Sequence, residues 1–316
     1  MDELERLKLE INLTEYAASR GYQLDRRESS RSSVVMRHPV TDDKIVVSRA
    51  ERGGHWIYFS VRDAGDNGTI LDFVQRRDRC SLAETRRELS GWIGGERPRI
   101  APASYRASIS PRGVHRDAVR DEYEFARAVV DSAYLSSRGI RSATVTNPRF
   151  LGTLRLDAWG RILFPHHDDR GLAGCESKGY GWTSFAEGGV KALWSSNVLP
   201  ADARLVLVES AIDALSHYQL QPDACTRYAS TAGMISPHQR EVIAAIRRLP
   251  SATTIVLAFD RDAAGEHLAR QVRGLAPRAC QRITSPIGKD WNDCLEERER
   301  SFIQAVSRST GPCLDR

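Results

Sequence analysis

The chain has 316 residues, 41% hydrophobic and 28% charged, with a net charge of +5. This is an ordinary soluble composition, long enough for one large domain or two to three small ones. It excludes a membrane span, because no run approaches roughly 18 consecutive apolar residues.

The opening MDELERLKLEINLTEYAASRGY lacks the apolar core of a secretory signal. Its first 22 residues predict a helix, since Leu4, Leu7, Ile11, Leu13 and Tyr16 recur at helical spacing. From Val34 to Val61 the pattern changes to short strand-like runs, SVVM, KIVVS and HWIYFSV. After the turn DAGDNGT, the stretches TILDFVQRR and SLAETRRELSGW resume helical periodicity, with Thr69 and Ser81 as caps. These elements make a first domain of residues 1–93. Residues 94–117, rich in Gly, Pro, Ser and Arg, predict a linker.

Residues 118–200 form a second region. EYEFARAVVDSAYLSSRGI predicts a helix stopped by Gly139, followed by strands at RILFPHHD, LAGCESK and KALWSS. From 201 to 300, RLVLVE, CTRYAS, TTIVLAFD and CQRITSP alternate with the helical SAIDALSHYQL, SPHQREVIAAIRRL and AAGEHLARQVRGL. Such alternation predicts βαβ units and a parallel sheet, with 301–316 as a tail. The expected fold class is α/β, with an α+β N-terminal part.

Ligands of open parallel sheets gather at the carboxyl ends of the strands. RLVLVE ends on Glu209; TTIVLAFD ends on Asp260, with Asp262 just beyond. Three unpaired carboxylates on one rim would repel and raise one another's pKa. A divalent cation removes the conflict, and hard oxygen donors favour Mg²⁺ or Mn²⁺ over zinc. The alternative for Asp262 is a helix cap before AAGEHLAR. His166 and His167 read as a polar turn rather than a transition-metal site, because consecutive strand residues point to opposite faces.

Lysine occurs only at positions 8, 44, 178, 191 and 289, so arginine supplies most of the positive charge. That balance suits a nucleic-acid partner, with an arginine-rich coding bias as the alternative. The six cysteines contain no C-x-x-C pair, which argues against zinc and for free thiols in the cytoplasm.

The order of Glu209 in LVLVESAIDALS, Gly233 in STAGM, Asp260, Asp262 and Gly265 in AFDRDAAGE, and GKDWND at 288–293 resembles the Toprim domain. That domain is shared by topoisomerases, bacterial primases, small nucleases and recombination proteins, and the resemblance covers roughly Arg204 to Leu295. It implies a glutamate acting as general acid/base and a D-x-D pair holding Mg²⁺ or Mn²⁺. Glu209 takes the proton-handling role here and is also a candidate metal ligand, Asp260 and Asp262 are the metal ligands, and Lys289 lies on a phosphate or incoming nucleotide. Asp213, Asp290 and Asp293 are secondary candidates. Gly265 lets its helix start close beneath the site.

GRILFPHHDDRGLAGCESKG, at 160–179, resembles the primase segment that precedes Toprim, as does YLSSRGI at 134–140. By that likeness Arg161 and Lys178 hold template or nucleotide phosphates. RHP and the stretch WIYFSVRDAGDNGTILDFV follow the outline of the primase zinc ribbon without its cysteines. His38 alone cannot build a zinc site, so the expectation is a metal-free, ribbon-like domain packed on Trp56, Tyr58, Phe59, Ile70 and Phe73. Its DNA contacts are expected at Arg37, Arg49, Arg52 and Arg62.

The resemblance implies a primase-like nucleotidyltransferase acting on single-stranded DNA or other nucleic acid with NTPs, serving replication or transfer of a plasmid or other mobile element. Replication or conjugation proteins are its expected partners, and no C-terminal helicase-interaction domain is expected. The alternatives are a Toprim nuclease cleaving DNA or RNA and a non-catalytic DNA-binding accessory protein.

Overall fold

The structure, a computed structural model, describes residues 2–29, 33–50, 54–63, 66–95 and 113–309. The chain divides into two units, Met1–Gly113 and Val114–Arg316. Of the predicted linker, residues 96–112 lie outside the described residues, as does Arg52.

The first unit begins with α1 (Glu3–Glu10) and α2 (Leu13–Ser19). The single predicted helix is broken because Asn12 caps α2, its side chain accepting from the Thr14 and Glu15 N–H groups at 3.0 and 3.4 Å. An antiparallel meander follows: β1 (Gln23–Asp25), β2 (Ser33–Arg37), β3 (Lys44–Arg49), β4 (Trp56–Ser60) and β5 (Asn67–Thr69), paired in that order. Then come α3 (Ile70–Asp78) and α4 (Leu82–Ile93). Both predicted caps form: Asp72 accepts from the Thr69 N–H at 2.7 Å, and Glu84 from that of Ser81 at 2.8 Å.

Trp56, Tyr58, Ile70 and Phe73 are buried in this unit's core with Leu7, Tyr16 and Leu89. Phe59 departs from the expectation: it is 43% exposed, since neighbours along a strand face opposite ways and Tyr58 takes the inward position. Arg77 of α3 ties the core to the sheet. Its guanidinium donates to Asp43 at 2.7 Å, to Asp66 at 2.8 and 3.1 Å, and to the Tyr22 hydroxyl at 2.8 Å. It also lies 4.2 Å from the Phe73 ring centroid.

The second unit opens with α5 (Arg116–Phe125). The long predicted helix stops there, because Arg127–Ala128 form a short strand, β6, that pairs with β7 (Arg155–Leu156). The helical pattern resumes only in α6 (Ala133–Ser137) and α7 (Ser142–Val145). β8 (Ile162–Asp168), β9 (Gly171–Gly179) and β10 (Trp182–Phe185) complete an antiparallel sheet in the order β10-β9-β8-β7-β6. His166 and His167 end a strand at a bulge rather than forming a turn. His166 is fully buried, with Nδ1 2.6 Å from the Ala192 carbonyl.

The rest alternates as predicted. A two-residue strand, β11 (Trp194–Ser195), precedes β12 (Arg204–Val208), α8 (Ala211–Leu220), β13 (Thr226–Ser230), α9 (Pro237–Ala244), β14 (Thr254–Leu257), α10 (Ala263–Leu275), β15 (Cys280–Arg282) and α11 (Trp291–Ser309). The helix α11 therefore continues into the stretch read as a tail. The sheet order is β11-β13-β12-β14-β15, with β12 to β15 parallel and β11 antiparallel.

Alternation along the central strands gives the sheet two apolar faces. Val206, Val208 and Val256 pack with Ile212 and Leu215 of α8 and Trp291 of α11. Leu205, Leu207, Ile255 and Leu257 pack with Ile243 of α9 and Leu268 and Val272 of α10. The first of these cores also takes in Ile162 and Phe164 of β8, so the two sheets share one core. Among the described residues, no helix is long and apolar enough to cross a membrane.

Candidate active site

The order of the parallel sheet reverses direction about β12: the chain leaves it through α8 to β13 on one side and returns through α9 to β14 on the other. Ligand crevices form at such a switch point, outside the carboxyl ends of the strands. Glu209 follows β12, and Asp260 lies three residues past β14. The two strand ends are joined by the Ala258 N–H donating to the Leu207 carbonyl at 2.8 Å.

Several contacts hold the Asp260 backbone in place. Arg282 donates to the carbonyls of Leu257, Phe259 and Asp260 at 3.1, 2.8 and 2.8 Å. The Trp291 indole N–H donates to the Ala258 carbonyl at 2.8 Å. Gly265 bears out its expected role, since a Cβ there would stand 2.1 Å from the Asp260 carbonyl oxygen. Asp262 forms the cap that the sequence offered as its alternative role. One carboxylate oxygen caps α10 by accepting from the Gly265 N–H at 2.8 Å, and the other faces Lys289.

The Lys289 ammonium lies 3.2 Å from both Asp260 and Asp262. It reaches them because Gly288 adopts φ +73° and the Arg261 N–H donates to the Lys289 carbonyl at 2.8 Å, joining the two loops. Asp290 and Asp293 serve this loop locally. Asp290 accepts from the Asp293 N–H at 2.7 Å, and Asp293 from that of Lys289 at 2.9 Å.

The charges are imperfectly balanced. Burial raises the Glu209 pKa to about 7, and Asp260 adds to the rise while Lys289 opposes it. One oxygen, Oε2, is buried without a hydrogen-bond partner. The Asp260 side chain is 8% exposed; burial raises its pKa against the pull of Lys289. For Asp262, burial is outweighed by the Gly265 N–H and Lys289, and the pKa falls. Asp213 is raised to about 7 by burial and then by Asp290, although its carboxylate closes a capping box with Ser210.

Sequence reasoning missed two contributors. Lys191, just before β11, donates to the Met234 carbonyl at 2.7 Å, and burial lowers its pKa to about 8 against the pull of Glu176 and Glu209. Glu176 pairs with Lys178 at 3.1 Å and keeps one buried oxygen unpartnered. The scarcity of lysine was the one signal for Lys191; no motif spacing marks it.

Arg161 and Lys178 are separated by the pleat. Lys178 is registered with Ile162, on the face toward the shared core, whereas Arg161 crosses to Gly179 on the opposite face. In the first unit each described candidate arginine has an internal partner. Arg37 pairs with Asp25 and Glu28, Arg49 with the Gly54 carbonyl, and Arg62 with Asp42. His38 accepts from the Thr41 N–H at 3.2 Å.

Among the described residues, no three His, Cys, Asp or Glu side chains enclose a metal position as they stand. Lys289 supplies the positive charge between the aspartates. The donor set nonetheless fits a hard cation: it is all oxygen, two carboxylates share one monovalent charge, and a third has a buried oxygen with no partner. Two cavities, of about 370 and 240 Å³, lie elsewhere, the first lined by Leu220, Trp291 and Cys294 and the second by Tyr123, Arg161 and Phe185.

Comparison with known proteins gives one family and a set of partial structural likenesses. Residues 206–295 match the family described as Toprim-like. No curated protein sequence matches the chain. The primase fragment of the bacteriophage T7 primase-helicase protein gives a TM-score of 0.41 at 16% identity, over 82% of this chain and 93% of that one. A structure of bacteriophage T7 lagging-strand DNA polymerase, interacting with primase domains of two gp4 subunits bound to an RNA/DNA hybrid and dTTP, gives 0.42 at 19% identity. That match covers 58% of this chain and 94% of the other. Scores this low mark a partial likeness of backbone. The family match, by contrast, spans Glu209, Asp260, Asp262 and Lys289, the residues that the strand ends and the neighbouring loop gather. Residues 206–295 are thus a Toprim-like domain, a class that generally binds divalent metal.

Proposed function

We propose that the protein is a primase-like nucleotidyltransferase that acts on single-stranded DNA with NTPs and Mg²⁺ or Mn²⁺, in replication or transfer of a mobile element. The observation that carries this reading is the pairing of two strand ends: Glu209 and Asp260 lie just past the carboxyl ends of adjacent parallel strands, with Asp262 across Lys289 from Asp260. The primase-like segment at 160–179, now seen as β8 and β9 of the same unit, favours nucleotide transfer over cleavage.

In this reading Asp260 and Asp262 hold the divalent ion once the Lys289 side chain withdraws. An ion held there would supply positive charge to a phosphate undergoing displacement. Glu209, with its pKa raised to about 7, is matched to taking a proton from an attacking hydroxyl near neutral pH. Lys289, released from the aspartates, keeps its positive charge for the nucleotide phosphates, and Lys178 and Lys191 add theirs. Asp213 keeps the start of α8 fixed behind Glu209 through its capping box. Residues 1–93 of the first unit are read as the metal-free DNA-contacting domain, and the site of action as the cytoplasm, alongside replication or conjugation proteins.

The test incubates the full chain with single-stranded DNA, Mg²⁺ or Mn²⁺ and labelled nucleotides, scoring elongated and shortened products together. Elongation that is lost in Glu209→Gln supports the proposal. Shortened DNA alone replaces it with a nuclease, and binding without either product replaces it with an accessory DNA-binding role.

A further inference from the structure

Two neighbouring hairpin turns of the antiparallel sheet in the second unit expose aromatic rings. Trp159, in the turn between β7 and β8, is 75% exposed; Tyr180 and Trp182, at the turn between β9 and β10, are 68% and 49% exposed. A soluble protein rarely leaves this much indole surface together in water without a use for it.

These rings are held in an ordered array. The Arg161 guanidinium lies 4.6 Å from the Trp159 ring centroid and 5.6 Å from that of Trp182, so one flat cation serves both indoles. Asp157 fixes the group, accepting from the Arg161 Nε–H at 2.6 Å and from the backbone N–H groups of Arg161 and Trp159 at 2.8 and 2.9 Å. Gly179 leaves the space across the strand pair open, since a Cβ there would stand 3.3 Å from the Arg161 side chain. Tyr180 is braced edge-on by Tyr134 at 5.5 Å.

Arg161 is already paired with Asp157, which makes it a poor phosphate clamp and a good flat surface. Aromatic faces interleaved with a guanidinium plane are what unpaired bases stack on, without regard to sequence.

We propose that Trp159, Arg161 and Trp182 form a base-stacking platform that holds unpaired bases of a single-stranded nucleic acid. This rests on the single-stranded-DNA reading above.

The experiment measures the affinity of the full chain for a dye-labelled single-stranded oligonucleotide and for an abasic strand of the same length. The proteins compared are wild type, Trp159→Ala/Trp182→Ala and Trp159→Tyr/Trp182→Tyr. Loss of two stacking contacts is expected to weaken oligonucleotide binding by about thirtyfold or more in the alanine variant. The tyrosine variant is expected to retain most of the affinity, and the abasic strand to bind all three proteins alike. Both tryptophans are exposed, so an unchanged melting temperature is expected to accompany the loss. Equal oligonucleotide binding by wild type and the alanine variant overturns the platform while leaving the DNA reading intact, and points to a protein partner for these rings. A penalty that persists on the abasic strand overturns stacking as the mode of contact. Failure of wild type to bind either strand overturns the DNA reading itself, and the platform with it.

Discussion

The two units each gather acidic side chains around one cation, with opposite results. In the first, Arg77 meets Asp43, Asp66 and the Tyr22 hydroxyl through directed hydrogen bonds and rests on the Phe73 ring. In the second, the Lys289 ammonium bridges Asp260 and Asp262 while remaining 57% exposed, and a Glu209 oxygen stays buried without a partner. A guanidinium fork satisfies several fixed acceptors at once; an ammonium is a compact point charge on a flexible stem. The difference teaches how to tell a charge cluster closed on itself from one left open to a ligand. The structural cluster is closed by geometry, while the other is only neutralised in part by a group that can leave.

The strongest way to break the comparison is to remove a carboxylate from the second cluster. Glu209→Gln and Asp260→Asn are each expected to lower metal-dependent nucleotide incorporation by about a thousandfold or more, with little change in DNA affinity. Primer synthesis and oligonucleotide binding, measured side by side, check this; retained synthesis would leave the carboxylates without a role. In the first cluster, Arg77→Met takes the shared guanidinium from two half-buried carboxylates and is expected to cost about 2–3 kcal/mol of stability. Calorimetry reads that loss, and a mutant as stable as wild type would show that the closed cluster holds nothing together.

A third test uses pH. Glu209 and Asp213 have folded-state pKa values near 7, above the ordinary carboxyl range. The folded protein therefore binds more protons than the unfolded chain between that range and about pH 7. These groups leave stability undiminished at the acid end of the window and reduce it as pH rises to about 7. The Glu209 share is roughly 2–3 kcal/mol. Urea midpoints from pH 5 to 8 are expected to decline less in Glu209→Gln than in wild type; parallel curves would contradict the assignment. The smallest effect is expected from Lys289→Met, about 1 kcal/mol of stability lost without divalent metal, in line with an exposed ion pair. Added Mg²⁺ is expected to raise the melting temperature of this variant more than that of wild type. An equal rise in both would mean that lysine and metal do not compete for the aspartates.

Legibility in the sequence followed the same division. The strands and helices from 201 to 300 were readable because buried parallel strands such as LVLV and TIVL are continuously apolar and their helices carry their own caps. The place of Glu209 just past its strand came with them, whereas β14 stops at Leu257, three residues short of Asp260. What escaped depended on long-range pairing. Arg127–Ala128 look helical until the chain returns at Arg155–Leu156 to pair with them. Lys191 reaches the site through a loop that no spacing predicts. The separation of Arg161 from Lys178 required the register of β8 on β9. Phe59 and Tyr58 looked equally core-like until the pairing of β4 fixed which one faces inward.

The three carbonyls gripped by Arg282, with the Ala258 carbonyl held by Trp291, tie down the strand end that carries Asp260. The Lys289 stem, 57% exposed, is free of that framework and turns about its own single bonds. Such rotamer hops take picoseconds to nanoseconds. Under the proposed function, clearing the ammonium from between the aspartates would therefore be fast and would leave the strand end where it is.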